Sequence, residues 1–144
     1  ADVDTRPATS GVTQYGTTTF QGRPAFCVNW VDVGYYSNHT EKTNSFQLLL
    51  VRRQGTGAGN FDAVFNYGRV AWETGDASGG SGGLGGFAAR AGISNGFGRT
   101  YEISCSGIPG SFLDVNPVGL IHRTRGTTIA GRFIFRVRSG DPLA

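Results

Sequence analysis

Short segments in which apolar and polar residues alternate, separated by glycine-rich turns, restrict the fold of this chain more than any other feature. In the segment 60–67, every second residue from Phe61 to Tyr67 is apolar or aromatic. The segments 87–94 and 129–138 repeat this alternation. A period of two places successive side chains on opposite faces of a β-strand and does not fit a helix. The pattern therefore predicts half-buried β-strands.

The composition favours an all-β chain with many turns. Among 144 residues there are 24 Gly and 5 Pro, and Gly costs about 1 kcal/mol relative to Ala inside a helix. The remaining residues are rich in Val, Thr, Phe and Tyr, which suit pleated surfaces. We count about eight to ten short strands, a number typical of a sandwich or barrel. We predict an antiparallel two-sheet β-sandwich with long glycine-rich loops, formed by a single domain, 1–144, with an extended lead-in, 1–11.

Two of the predicted strands are apolar on both faces. In the segment 25–34, Phe26 and Val28 alternate with Cys27, and the segment 44–53 contains the continuous run Leu48-Leu49-Leu50-Val51. Strands of this kind are usually central and covered on both sides. We also expect 70–73 to pair with the strand before it as a hairpin.

The basic residues lie mostly near the end of the chain. The formal net charge is +3, from 13 basic and 10 acidic residues. Without a denser patch or a binding motif, this excess does not favour a nucleic-acid partner. Three interpretations remain open: a solvated strand face, a surface for acidic polysaccharide, or a surface for an acidic patch on a neighbouring subunit. The residues concerned are Arg123, Arg125, Arg132, Arg136 and Arg138.

Cys27 and Cys105 are the only cysteines. In a secreted protein a disulfide between them is expected, and closing so long a loop would stabilise the fold by roughly 4–5 kcal/mol in the chain-entropy model. The alternative is two free thiols that pack as small hydrophobic groups. Two cysteines alone do not make a four-ligand zinc site.

The chain shows no complete catalytic motif. The stretch Gly80–Gly85 fits G-x-G-x-x-G, but the short, glycine-interrupted segment after it does not predict the helix that a dinucleotide site needs. Neither His39 nor His122 accompanies a nucleophile elbow. Scattered carboxylates leave a glycosidase-like hydrolase open, although such residues more often cap turns. The candidate carboxylates are Asp62, Glu73, Asp76 and Asp114.

Weaker patterns suggest ligands or modification. Asp76 lies beside a glycine-rich loop whose carbonyl groups could help it bind calcium, and Asn38-His39-Thr40 is an acceptor sequence for N-glycosylation. We expect no cofactor. A carbohydrate-binding module would need Trp30, Trp72, and Tyr35 or Tyr36 aligned on a flat, exposed face.

Several stretches together resemble one known family. The chain begins Ala1-Asp2-Val3-Asp4, and it later reads Trp72-Glu73-Thr74-Gly75-Asp76-Ala77-Ser78-Gly79-Gly80 before a strand of small residues, 88–92. This order, with the closing strand 131–137, resembles the NIDO domain, named for nidogen. The sequence resembles bacterial surface or secreted versions of the domain most closely. The residues that carry the family motif are Trp72, Thr74, Gly75, Ala77, Ser78 and Gly79.

The resemblance implies a function outside the cell. NIDO domains occur in extracellular matrix, mucin-like and bacterial surface proteins, and the family has no recognised catalytic residues. We therefore expect a non-enzymatic adhesion or matrix module, secreted or on the cell surface, that contacts other proteins. The sequence has no run of about 20 apolar residues, so we expect no membrane span.

One departure from the family suggests self-assembly. The strand that precedes the Ala-Asp-Val-Asp segment in the family is missing here, so a sheet edge is expected to be open. The lead-in residues 2–10 could then pair with a neighbouring subunit and build a surface fibre. The alternatives are a truncated chain or a monomer whose first strand is simply short.

Overall fold

Residues 2–144 fold into eight β-strands and three short 3-10 turns. A computed structural model describes residues 2–144, and Ala1 of the Ala1–Asp4 segment lies outside the described residues. No α-helix occurs in the described part of the chain, which confirms the all-β prediction. The 3-10 turns are Gln54–Thr56, Asp76–Ser78 and Leu120–His122. The strands are β1 (Val3–Asp4), β2 (Thr13–Phe20), β3 (Arg23–Tyr35), β4 (His39–Arg52), β5 (Phe61–Arg69), β6 (Gly92–Ser94), β7 (Thr100–Glu102) and β8 (Arg132–Val137).

Six strands form one antiparallel sheet. Its main path is β1–β3–β4–β5–β8, and β2 also pairs with β3. Because β4 occupies one side of β3, β1 and β2 lie end to end along the other side. The remaining strands, β6 and β7, form a separate two-stranded sheet of three residues each.

The inner face of the large sheet is covered because the sheet curls. Its buried residues come from β3, β4 and β5. Arg132 of β8 places its guanidinium 5.2 Å from the ring centre of Phe20 in β2, although three strands lie between β2 and β8. A flat sheet would separate these strands by about 19 Å, so its two ends approach each other. The buried residues of this inner core are Ala25, Leu49, Val51 and Val64.

The outer face is covered by loops over β5 and β8. Phe133 and Phe135 of β8 are buried there with Ala63 of β5. The opposing layer comes from the loops between β5 and β8, while the β6–β7 hairpin contributes Ile93 and Tyr101. A full second sheet is absent from residues 2–144, so a two-sheet sandwich is not confirmed. The loop residues buried against this face are Val70, Ile103, Phe112 and Leu120.

The outer face of β2, β3 and β4 has much less cover. Tyr15 is 79% exposed, Phe26 41% and Leu50 37%. Val28 and Leu48 lie between them and are half-buried. We call these five residues the outer patch. The two-sided cover predicted for the central strands is therefore complete on the inner face only.

The predicted hairpin at 70–73 is wrong. Strand β5 pairs with β4 and β8, and no strand follows it directly. Side chains take the place of a partner strand here. Asp114 Oδ1 accepts a hydrogen bond from the Val70 N–H at 2.8 Å, and Asn44 Oδ1 accepts from the N–H groups of Ala71 and Trp72 at 2.7 and 3.1 Å.

The lead-in is partly incorporated into the sheet of its own chain. Val3 and Asp4 pair with Tyr35 and Gly34 of β3. The Asp4 carboxylate accepts hydrogen bonds from the Arg6 guanidinium, which hold the pKa of that carboxyl well below its usual range. The first strand therefore already has a partner within its own chain.

The predicted disulfide is not formed, and both cysteines are free thiols. Cys27 packs against the inner core. Cys105 is exposed and follows Ile103, which is buried in the outer layer. The thiols lie on opposite sides of the sheet, so the pairing has no support in this structure.

Leu49 and Leu50 provide a matched test of the two faces. Leu49 is 4% exposed in the inner core, whereas the neighbouring Leu50 points to the outer face and is 37% exposed. We expect Leu49→Ala to lower the free energy of unfolding by about 2–5 kcal/mol, and Leu50→Ala to lower it by about 1 kcal/mol or less. Urea unfolding measures both, and equal losses would contradict the assignment of the faces.

Candidate functional site

The tryptophan of the family motif is a core residue. Trp72 is 1% exposed, and its ring lies 5.3 Å from that of the buried Tyr35. Its Nε1–H donates to the Val33 carbonyl at 3.1 Å. Asn44 holds the backbone from the other side, because its Nδ2 donates to the Trp72 carbonyl at 2.8 Å. Trp72 therefore joins the motif to β3 and β4.

Glu73 organises the loop that contains Gly110 and Phe112. Its side chain is buried, and the residue is 1% exposed. The two carboxylate oxygens accept hydrogen bonds from the backbone N–H groups of Gly110 and Phe112, at 2.5 and 2.7 Å. A buried carboxylate needs such partners to offset its lost hydration. Glu73 thereby fixes the turn that places Phe112 against the outer face of β5 and β8.

Asp2 brings two distant parts of the family pattern together. Its carboxylate accepts hydrogen bonds from the Gly75 N–H at 3.1 Å and from the Ser78 N–H and hydroxyl at 3.0 and 2.8 Å. Tyr36 completes the junction, since its N–H donates to the Asp2 carbonyl and its carbonyl accepts from the Asp76 N–H. The Ala-Asp-Val-Asp segment is thus an anchor for the glycine-rich loop.

Close packing explains one glycine of the motif, Gly75, and one glycine of the loop that follows it, Gly83. A Cβ at Gly75 would lie 2.7 Å from the Asp2 Cβ, and a Cβ at Gly83 would lie 2.7 Å from the Trp72 Cβ. Among the other motif residues, Thr74 is fully buried, while Ala77 is exposed. The motif residues therefore build a scaffold, and most of them offer little surface to a ligand.

His39 and Asp76 form an ion pair beside this junction. His39 Nε2 lies 2.9 Å from Asp76 Oδ2, and its ring stacks on Tyr35 at 4.7 Å. The hydrogen bond to Asp76 raises the pKa of His39, and the same bond lowers the pKa of Asp76. Asp76, the possible calcium ligand, is therefore bound by a histidine. Within residues 2–144, no three His, Cys, Asp or Glu side chains are grouped to hold a metal ion.

The other hydrolase candidates also have structural partners. Buried Asp62 accepts hydrogen bonds from Arg53 Nε and an Arg138 terminal nitrogen, both at 2.7 Å. Asp114 accepts from the Val70 N–H, and Glu73 and Asp76 are bound as described. All four carboxylates therefore stabilise loops or ion pairs.

The late arginines do not form one solvated row. Arg138 pairs with Asp62, and Arg123 donates to the Ser104 carbonyl at 2.9 Å. Arg125 lies 4.1 Å from the ring centre of Tyr101. These arginines and Arg132 are half-buried, and Arg136 alone among the five is exposed.

A row of polar side chains crosses the inner face and was missed by sequence reasoning. Arg132 Nε donates to Asn66 at 2.7 Å, Asn66 donates to Gln47 at 2.8 Å, and Gln47 donates to Asn29 at 2.7 Å. The four residues come from four neighbouring strands. Only the strand register brings them together, so no local signal in the sequence could have revealed the row.

The aromatic residues do not form the platform expected of a carbohydrate-binding module. Trp72 and Tyr35 are buried, and Trp30 is half-buried against Phe46 at 4.9 Å. Tyr36 is 41% exposed, but the Arg6 guanidinium lies 5.2 Å from its ring centre.

The possible glycosylation site is accessible. Asn38 is exposed in the turn between β3 and β4 and has a φ of 60°. Its backbone N–H donates to Asp4 at 3.0 Å.

The chain matches the nidogen-like domain family, NIDO, over residues 3–139 and belongs to it. It is also similar to alpha-tectorins, with 35% identity over 129 residues in Gallus gallus, 36% over 137 in Mus musculus and 37% over 122 in Homo sapiens. These matches cover 86%, 92% and 83% of this chain, but only 6%, 6% and 5% of the relatives. No solved structure matches.

The family and its relatives place the chain outside the cell. Alpha-tectorins are extracellular matrix proteins, and this chain is an extracellular matrix module of the same family. These relatives come from vertebrates, so the expected likeness to bacterial versions finds no support in them. Among the described residues, no helix has the length and apolar character needed to cross a membrane.

Gly82 and Gly83 test the packing of the motif. Both have positive φ, 60° and 86°, but a Cβ at Gly82 meets nothing within 4 Å. Either alanine should cost about 1–2 kcal/mol for its backbone conformation, and Gly83→Ala should cost several kcal/mol in total because it also overlaps Trp72. Thermal unfolding of both variants measures the difference, and equal losses would argue against this packing.

The His39–Asp76 pair predicts a pH-dependent stability. Because the folded pKa of His39 lies above its ordinary value, its contribution is full below about pH 6.5 and is lost as the pH rises through the folded pKa. We expect wild type to exceed His39→Gln in unfolding free energy by more near pH 5.5 than near pH 8.5. His122→Gln is the matched control, since that histidine contacts a backbone carbonyl. A gap that does not change with pH would contradict this role.

Proposed function

We propose that the chain is a non-enzymatic structural module that makes adhesive contacts with other matrix proteins through its outer patch. The observation that carries this proposal is the exposure of large apolar side chains on a hydrogen-bonded sheet. Contiguous exposed apolar surface on a protein commonly marks a contact site, and Tyr and Phe are enriched in such interfaces.

The outer patch has the rigidity that a contact surface requires. Its residues come from β2, β3 and β4, which are paired in continuous register from Thr13 to Phe20 and from Ala25 to Trp30. Tyr15 and Phe26 contact each other, with ring centres 6.1 Å apart. Side chains held by a sheet lose less freedom on binding than side chains on a mobile loop.

A groove extends the patch toward the β6–β7 hairpin. It has a volume of about 500 Å³ and is mostly apolar. Leu48 and Leu50 belong both to the patch and to the groove, and Phe97 at its rim is 92% exposed. The groove offers a partner protein a recess for an apolar side chain. Its lining also includes Phe61, Phe65, Ile93 and Val137.

Several features support a structural role over catalysis. The candidate carboxylates each hold a backbone group, a histidine or an arginine. The motif residues mainly anchor loops to the sheet. The alpha-tectorin relatives are structural matrix proteins, which agrees with a module that binds without reaction.

The alternative partners receive less support. A glycan platform would need exposed tryptophans, and Trp72 is buried. An acidic polysaccharide would need free arginines, and most of the late arginines already have partners within the chain. A fibre built by exchange of the lead-in would require β1 to leave β3.

A binding array tests the proposed function. Wild-type protein is applied to immobilised matrix proteins and glycans beside Phe26→Ser/Leu50→Ser, which changes two exposed patch residues. We expect binding to at least one matrix protein, reduced about tenfold or more in the patch variant.

The control for this array is Val115→Ser, at a residue that is 88% exposed outside the patch. Circular dichroism verifies that both variants are folded. Matrix-protein binding that the patch variant retains in full, or binding to glycans alone, would overturn the proposal.

A further inference from the structure

Strand β2 is a long and unprotected sheet edge. It pairs with β3 over all eight residues, Thr13–Phe20, without a break in register. None of its residues pairs with another strand on the opposite side in the described structure. Its backbone groups on that side are therefore free to pair with another chain.

The sequence of β2 has none of the usual devices that block such pairing. Proteins protect an open edge with charged side chains, proline, a bulge or a very short strand. The segment Thr-Gln-Tyr-Gly-Thr-Thr-Thr-Phe has no charge and no proline, and its register has no bulge. Six of its eight residues are exposed.

The opposite edge of the sheet, along β8, is partly covered. Arg125 runs beside β8, its N–H donating to the Arg132 carbonyl at 3.0 Å and its carbonyl accepting from the Ile134 N–H at 2.8 Å. The exposed length of β2 is therefore not a general property of this sheet's edges.

We propose that a second copy of this chain pairs antiparallel with β2, forming a two-fold symmetric dimer with a continuous sheet. This inference rests on the proposed function, and it names a second copy of the chain as the partner at the β2 edge, beside the outer patch. Addition of a strand to a sheet edge is an established mode of protein recognition.

Symmetry favours a second copy as the occupant. A two-fold axis perpendicular to the sheet, near Gly16 or Thr17, keeps the outer faces of both copies on one side. Tyr15 lies opposite Val28 of β3 and Thr17 lies opposite Phe26, so the two outer patches become one apolar surface across the dimer. Because β2 has no charge, no like-charge repulsion opposes the pairing.

The charges at the ends of the strand are compatible with the antiparallel direction, because it keeps the two Arg23 side chains at opposite ends of the contact. Asp32 lies beside the start of β2, since its carbonyl accepts from the Gly11 N–H at 2.8 Å, and its carboxylate already pairs with Arg69 at 2.9 Å. Arg23, at the other end opposite Phe20, is exposed and its side chain has no hydrogen-bond or ion-pair partner among the described residues. Antiparallel pairing brings the Arg23 end of one copy toward the Asp32 end of the other.

This contact closes on itself. In a two-fold contact the same surface is used on both copies. The open β2 edge of each copy is therefore paired, and no free edge remains there for a third copy. The product is a dimer with a larger adhesive face, in contrast to the open fibre that exchange of the lead-in would produce.

The test compares wild type with Thr17→Lys/Thr19→Lys, which places two charges on the edge strand. Thr128→Lys/Ala130→Lys is the matched control, because both residues are exposed, lie outside the sheet and add the same charge. Sedimentation equilibrium gives the dissociation constant of the dimer. We expect wild type and control to form dimers, and the edge variant to dissociate about tenfold or more readily.

A second measurement locates the contact. Hydrogen exchange of the β2 amides in wild type should slow as the protein concentration rises, and in the edge variant it should not. Thermal unfolding verifies that all three proteins are folded.

Three outcomes would overturn the dimer. These are a wild type that stays monomeric at its highest soluble concentration, a dimer that the edge variant retains, or an unlimited series of larger oligomers. A monomeric wild type whose binding to a matrix protein still depends on Phe26 and Leu50 would reject the dimer alone. The proposed function would then stand.

Discussion

The central strands of this protein are apolar on both faces, and the remaining structure depends on how those two faces are covered. Curvature covers the inner face, because the sheet bends until Arg132 at one end lies over Phe20 at the other. The same guanidinium ends the row of polar side chains that crosses four strands. Loops cover the outer face over β5 and β8, and the outer patch is the part that they leave exposed.

The residues in and around the family motif attach those loops to the sheet. Asp2, Asn44 and Glu73 are remote in sequence, yet each uses a side-chain oxygen to bind backbone N–H groups of a segment without a partner strand. Unpaired backbone groups in a buried loop would be costly. The motif therefore identifies the fold reliably while saying little about the ligand, and the outer patch, the contact surface that we propose, lies on residues outside it.

The sequence was informative where the signal is local. Alternation located β5 and β8, and the apolar run located β4, because the side-chain period of a strand does not depend on its partners. The curl, the row from Asn29 to Arg132 and the separation of the two cysteines depend on register and curvature, which no short segment encodes. The hairpin at 70–73 failed for a related reason, since Asn44 and Asp114 replace the partner strand. The outer patch could not be distinguished from core residues, because buried and exposed apolar strand positions share one pattern.

The attachment of Asp2 has a mechanical consequence for a module of the matrix. Tension entering the chain ahead of Val3 meets the three hydrogen bonds of the Asp2 carboxylate to Gly75 and Ser78 and the pairing of β1 with β3. The load passes through this junction into the glycine-rich loop, and from there through Trp72 to the long central strands. We expect a pull from this end to separate the two-residue strand β1 and the Asp2 anchor while β3, β4 and β5 stay paired, so that the junction extends before the sheet itself is strained.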